Sequence, residues 1–239
     1  LKKVFKNLGN QYFDSSNLHI GPGDDAGLFK TRKDLIFSTD TSLANVHFPR
    51  DLGPKLIAYR TCAVAASDIA ACGGNLKWLS IALTVNTKKK KWIEDFSKGI
   101  KEFSDKYKVP IIGGDLTLGK EISVSVGVCG EIEKKDFMRR NKGKEKDLIF
   151  VTGILGEAFA GLNLLKQKKQ KLNPAEKNFL KRYLKPKIDF LFSQDLSKIA
   201  NSCIDISDGL MADLNHICQQ SNLKAVSYTH LTLPTTRLV

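Results

Sequence analysis

The chain has 239 residues, 42% hydrophobic and 26% charged, which supplies core material for one large domain or two small ones. No stretch approaches the roughly 20 apolar residues of a membrane span, and the opening LKKVFKNLGN lacks the apolar core of a signal peptide, so a cytoplasmic protein is expected. The net charge of +13 raises nucleic acid as a partner, but the lysines fall in scattered clusters (87–92, 134–136 and 166–171) without interleaved aromatics, which favours a solvated lysine-rich face and also suits a polyanionic small molecule.

In chain order, HIGPGDDAGLF (19–29) places Asp24 and Asp25 behind a Gly-Pro-Gly turn. DLIFSTDTSL (34–43) predicts a strand ending at the acid and hydroxyl cluster around Asp40. Residues 53–74 predict a helix, with Pro54 in its first turn, Leu56, Ile57, Ala63 and Val64 on its apolar face, and Gly73-Gly74 at its end. KWLSIALTV (77–85) predicts a strand. Residues 90–107 predict an amphipathic helix, since Trp92, Ile93, Phe96, Ile100, Phe103 and Tyr107 recur at spacings of three and four. VPIIGG (109–114) and the alternating run 121–131 predict two further strands.

The basic stretch 133–147 interrupts this pattern and marks the expected junction between an N-terminal domain, 1–135, and a C-terminal one, 136–226. Beyond it DLIFVTG (147–153) and SCIDI (202–206) predict strands, and LKAV (223–226) the start of another. Helices are predicted over 156–168, within 174–200 and over 209–220. Mixed strands and helices in both halves give an α+β or α/β class in two domains. The last thirteen residues, 227–239, are Thr/Leu-rich without capping logic and read as a foreign or out-of-frame tail. The cysteines Cys62, Cys72, Cys129, Cys203 and Cys218 form no C-x-x-C pair and read as reduced thiols.

Two glycine motifs are decoys. GDLTLGKE (114–121) approximates a phosphate-binding loop, but Glu121 stands where the magnesium hydroxyl belongs and a strand follows where a helix is needed. A turn between strands accounts for its glycines. GPGDDA (21–26) fits a dinucleotide fingerprint only formally, because Pro22 and two acids sit where amides should face a pyrophosphate, and loop and strand follow where a helix is needed.

What remains is a series of acids at the ends of elements: Asp24, Asp25, Asp40, Asp68, Asp115, Asp205 and Asp208. Each has a structural alternative. Asp208 could cap the helix after it, and Asp115 could stabilise a Gly-Gly-Asp turn. If the acids converge, each pair about 4 Å apart repels by roughly 4 kcal/mol at an effective dielectric near 20, so the site needs cations. All-oxygen donors suit Mg²⁺.

GPGDDAGLF, STDTSLANVHF, AVAASDIAACGG, IIGGDLTLG, VTGILGEAFAGL and CIDISDGLMADLNHI stand in the order and approximate spacing of the thiamine-monophosphate kinase family, within the superfamily that includes aminoimidazole ribonucleotide synthetase. The resemblance spans about residues 1–226. It implies an N-terminal α+β domain whose sheet pairs with that of a second subunit, a C-terminal α/β domain, and ATP between them. By position it implies magnesium ligands at Asp25, Ser38, Thr39, Asp40, Asp68, Asp115, Asp205 and Asp208. It also implies ATP contacts at Gly114, Asp115, Arg140 and Ser207, and a thiamine phosphate contact at His47. Asp25, Asp40, Asp68, Asp115, Asp205 and Arg140 would carry the catalysis. Ser38 keeps the hydroxyl of the family's usual threonine, while Ala65 replaces a common asparagine. The family continues past residue 226 with a Gly-Glu-Asp segment and an aromatic that hold the thiamine moiety, so the resemblance implies a truncated kinase.

The expected activity is ATP-dependent phosphorylation of thiamine phosphate by direct in-line transfer with Mg²⁺, in a cytoplasmic homodimer. The alternatives are another ATP-dependent enzyme of the superfamily, a non-catalytic fragment, and a basic nucleic-acid-binding module.

Overall fold

A computed structural model describes residues 8–21, 26–169 and 171–226. Asp24, Asp25 and the 227–239 tail lie outside the described residues.

The strands are β1 (Leu18–Ile20), β2 (Leu28–Phe29), β3 (Asp34–Leu43), β4 (Asn75–Val85), β5 (Ile111–Leu118) and β6 (Ser123–Ile132). The helices are α1 (Pro54–Ala71), α2 (Lys90–Tyr107), α3 (Glu157–Lys166), α4 (Pro174–Leu184), α5 (Phe190–Leu196) and α6 (Leu210–Ser221). The main sheet has the order β3-β6-β4-β5, with β6 antiparallel to both neighbours and β4 parallel to β5. That parallel pair needs a long crossover, which α2 supplies.

Helix α1 packs on β3, β4 and β6, and α2 packs along α1. The alternation predicted for β6 holds: Ile122, Val124, Val126 and Val128 are all buried beneath these helices. Helix α1 differs from its single predicted face. Ile57, Ala58, Tyr59, Cys62, Ala65 and Ile69 are buried around most of its circumference, because the sheet, α2, α4 and α5 all pack against it. A helix apolar on every side is a core helix, and the many alanines let its neighbours approach closely. Among the described residues the opposite sheet face is covered at one end only, where Leu18 and Phe29 enclose Trp78 and Cys129 and the Phe29 ring stacks on Trp78 at 4.2 Å.

Three predicted strands beyond residue 146 are not formed. Residues 147–153, 203–206 and 223–226 carry no ladder, and Ser202 makes only an isolated bridge to Arg139. Their composition favours extended backbone, but a strand is stabilised by a partner, and among the described residues none lies beside them. Helices α3 and α4 pack on each other, α5 rests on α1 and β4, and α6 lies against the 3₁₀ turn Arg140–Lys142.

Two of the three lysine clusters find acidic partners. Lys90 and Lys91 reach Glu94 and Asp95 one turn along α2, while Lys168 and Lys169 reach Asp51 and Glu176. That is the pattern of a solvated face. All five cysteines are free thiols, and burial pushes Cys62 up to about 12 and Cys72 and Cys129 up to about 11. Among the described residues no helix is long and apolar enough to cross a membrane.

Candidate active site

Strand β3 sorts its hydroxyls and acids by face. Ser38 pairs with Val128, and Asp40 with Val126, both fully buried beneath α1, so Ser38 and Asp40 point toward that helix. Thr39 and Thr41 point to the opposite face, where the Thr41 and Ser125 hydroxyls meet at 2.8 Å. Asp40 stands inside the strand, three residues short of its end, rather than at its terminus.

The last two turns of α1 answer from above. The Ser38 hydroxyl donates to Asp68 Oδ2 at 2.5 Å, tying β3 to the helix. The adjacent Ser67 donates to Asp205 Oδ2 at 2.6 Å, tying the helix to the extended 203–206 segment of the C-terminal half. Three carboxylates, those of Asp40, Asp68 and Asp205, are thus gathered from a strand, a helix and a loop that are distant in sequence.

Their electrostatics bear the mark of crowding. Burial raises Asp40 above the ordinary carboxylate value, and the negative charges of Asp68 and Asp205 raise it further. Asp205 is raised by burial and by Asp68, against the lowering effect of the Ser67 hydrogen bond and the Arg140 guanidinium. Such groups favour whatever positive charge approaches them.

His47 lies in the exposed loop after β3. Its Nδ1 accepts the Leu43 amide at 3.0 Å, so the ring proton resides on Nε2. Its carbonyl accepts the hydroxyl of the buried Tyr183 on α4 at 3.1 Å. Arg60 of α1 lies 3.9 Å over the Tyr183 ring and donates to the Tyr183 carbonyl, fixing that anchor.

Other expected site residues are not brought into this group. Asp115 lies within β5 instead of following it, in the row Thr41–Ser125–Ala82–Asp115 on the open face, and accepts the Thr117 hydroxyl at 3.0 Å. The Gly-Gly-Asp turn is therefore a strand, and only Gly119 marks the turn into β6. Thr39 shares that open face by the alternation of β3. Gly114 has a packing reason of its own, since a Cβ there would stand 2.0 Å from the Ile81 carbonyl oxygen. Asp208 is exposed and does not cap α6, whose N-cap is Gly209. Ser207 is likewise exposed. Among the described residues no group of three or more His, Cys, Asp or Glu side chains stands in an arrangement that could by itself hold a metal ion.

Sequence reasoning missed Ser67, Tyr183 and Asp213. Ser67 had a signal, because it immediately precedes Asp68 and neighbouring helix positions can serve two adjoining strands or loops. Tyr183 had none, since its role depends on where α4 docks. Asp213 is buried at the start of α6, and its Oδ2 accepts the amides of Ser207, Asp208 and Gly209 at 3.0, 3.1 and 3.1 Å.

The sequence pattern described as AIR synthase related protein, N-terminal domain, matches residues 23–132. The thiamine-monophosphate kinase of Buchnera aphidicola subsp. Schizaphis graminum is 40% identical over 228 residues, covering 94% of this chain and 69% of that protein. The crystal structure of thiamine-monophosphate kinase from Stenotrophomonas maltophilia K279a matches with a TM-score of 0.84 at 32% identity, covering 92% of this chain and 72% of that one. AaThiL complexed with AMPPCP and TMP matches with a TM-score of 0.76 at 32% identity, covering 93% and 72%. With a convergent carboxylate site on a shared fold and this degree of identity over nearly its whole length, the chain belongs to the thiamine-monophosphate kinase family.

Proposed function

We propose that this protein transfers the γ-phosphoryl group of ATP to the phosphate of thiamine phosphate, giving thiamine diphosphate. The observation that carries this reading is the gathering of Asp40, Asp68 and Asp205 across both halves of a chain 40% identical to a thiamine-monophosphate kinase. The related AaThiL was solved with AMPPCP and TMP, which supports ATP and thiamine phosphate as the ligands here.

The donor set fits magnesium. It consists of carboxylate and hydroxyl oxygens, and the carboxylates are half-buried and repel one another. Asp40, Asp68 and Asp205, with Ser38 beside them, would hold the ion, and Asp25 and Asp208 are proposed as further ligands; Asp115 and Thr39, on the opposite face of the sheet, are proposed as ligands only to an ion reached from that side. When bound, the ion neutralises phosphate charge and orients the reacting groups. The protein's own contribution is positioning and electrostatics, because phosphoryl transfer asks for little covalent chemistry. Arg140 adds positive charge beside Asp205 and is assigned, with Ser207, Gly114 and Asp115, to ATP. The His47 Nε2–H is a donor suited to the acceptor phosphate. That acceptor is an oxygen already ionised at neutral pH, so no strong general base is needed.

The division at residues 135 and 136 is supported by the domain pattern ending at residue 132. A cytoplasmic homodimer is proposed. It is supported by β3, a ten-residue edge strand whose Phe37 is 70% exposed.

The test incubates the protein with ATP, Mg²⁺ and thiamine phosphate and follows thiamine diphosphate and ADP. Product that needs all three components is expected. ADP release indifferent to thiamine phosphate would assign a different acceptor, and no release at all would overturn the reading.

A further inference from the structure

The DISDGL segment, 205–210, carries Asp205 and Asp208 but has no secondary structure of its own before α6 begins. No ladder holds it, and Gly209 turns the chain at a φ of 115°, a conformation that side-chain-bearing residues rarely adopt. Three consecutive amides, those of Ser207, Asp208 and Gly209, consequently point inward with no helix or strand partner. Successive inward amides form a concavity that attracts an anion. Here the anion belongs to the protein. The Asp213 side chain, on a residue only 3% exposed, folds back from the first turn of α6 and accepts all three amides through a single oxygen.

We infer that Asp213 is a positioning residue: its carboxylate fixes the 205–209 segment in the shape that presents Asp205 and Asp208 to magnesium-ATP, an inference that rests on the function proposed above. The geometry divides the labour among the acids of this motif. Asp205 reaches into the site and is tied to α1 by Ser67. Asp208 is exposed at the turn. Asp213 faces inward, with its Oδ2 taken up by the three amides. A second consequence concerns Ser207. Its amide is committed to Asp213, so a hydrogen bond donated by Ser207 to ATP must come from the hydroxyl. Removing Asp213 leaves the three amides without their protein acceptor, and the segment regains the freedom of an ordinary loop.

The test has two arms on the same variants, Asp213→Ala and the shape-conserving Asp213→Asn. Hydrogen exchange at the amides of residues 207–209 is expected to quicken at least tenfold in Asp213→Ala and less in Asp213→Asn, with β4 and β6 protected as in the unmodified protein. Titration of a non-hydrolysable ATP analogue is expected to require at least tenfold more Mg²⁺ for half-saturation in Asp213→Ala. Asp213→Asn, which keeps one acceptor oxygen, should fall between. If Asp213→Ala loses protection in β4 and β6 as well, the Asn variant decides. Unchanged exchange at 207–209, or an unchanged magnesium requirement in a folded variant, overturns the assignment. An unmodified protein that binds no ATP analogue at any Mg²⁺ concentration breaks the functional reading instead, and the exchange arm still decides whether Asp213 holds the segment.

Discussion

Beyond residue 132 the only buried hydrophobic side chains among the described residues are Met138, Tyr183 and Ile188, whereas the sheet and its two helices enclose nearly all the rest of the core. Leu148, Phe150, Ile154 and Ile199 in the later region are 70–81% exposed. The two regions do not differ in the kind of sequence they carry. DLIFSTD and DLIFVTG are near twins, yet the first is the edge of a four-stranded sheet and the second forms no ladder. The difference teaches that β-favouring composition selects an extended chain, while a partner makes it a strand. It also bears on the site. Asp40 and Asp68 are set by the packed region, and Asp205 is delivered by the other through a few hydrogen bonds.

The largest effect is expected where the packed region is broken. Phe96 on α2 is fully buried and stacks near Trp92 with centroids 5.4 Å apart. Phe96→Ala should cost about 3–5 kcal/mol, read as a lower denaturation midpoint at an unchanged slope. A loss below about 1 kcal/mol would mean that the two regions are not as unequal as their burial indicates.

Much of this contrast was legible in the sequence on one side of residue 132 only. The spacing of Trp92, Phe96, Ile100 and Phe103, and the alternation Ile122 to Val128, specify elements whose partners lie within the same region, so periodicity sufficed. The strands expected at 147–153 and 202–206 failed because their partners cannot be read from local pattern. Of the acids expected from the sequence, Asp40, Asp68 and Asp205 come together and Asp115 and Asp208 do not, while the roles that the family resemblance implies stand as proposals. The geometry of the site was not legible, because spacing along β3 does not say which face meets α1. For that reason Asp40 and Asp115 looked equivalent in sequence and stand on opposite faces of the sheet.

Asp40→Asn tests the acids of the packed region in two ways. Phosphoryl transfer should fall about a hundredfold to a thousandfold, the scale seen when one electrostatic group is lost from an active site. Stability should move the other way, rising by about 1 kcal/mol or roughly 3 °C at neutral pH after allowance for screening by water. The sign follows from the raised pKa of Asp40. A carboxyl that holds its proton more tightly when folded stabilises the fold below its ordinary value of 3.8 and loses that contribution as pH climbs through the raised value. The gap between variant and parent should therefore be widest near neutrality and close as pH drops toward 3.8. A destabilised variant at pH 7 would show that Asp40 is held by attraction rather than crowded by Asp68 and Asp205.

Ser67→Ala probes the link between regions. The hydroxyl's bond to Asp205 is short, and a hydrogen bond to a charged group contributes about 1.5–3 kcal/mol. Part of that bond is replaced by water at a half-buried site, so a roughly tenfold loss of kcat/KM is expected. Asp205 should also shift further upward, since this bond is the largest influence lowering it. The acid limb of the pH–rate profile would move to higher pH. An unmoved profile would mean that Asp205 reaches the site without help from α1.

Phe150→Ser should have the smallest effect and sharpens the comparison most. In the packed region a phenylalanine exchanged for serine removes a large buried side chain and leaves a polar group in its place. Phe150 is 81% exposed, so the same exchange there removes almost no buried area, and stability should stay within about 0.5 kcal/mol of the parent. Solubility should improve, because Leu148 and Ile149 lie beside it and are themselves 79% and 49% exposed. The sign of the result separates two ideas about DLIFVTG. If the segment is extended chain without a ladder, the substitution is neutral in the denaturation midpoint. A loss above about 2 kcal/mol would require that Phe150 is covered when the protein folds, and the segment would then be a strand whose partner completes it. The contrast with DLIFSTD would in that case be one of partner supply and not of packing.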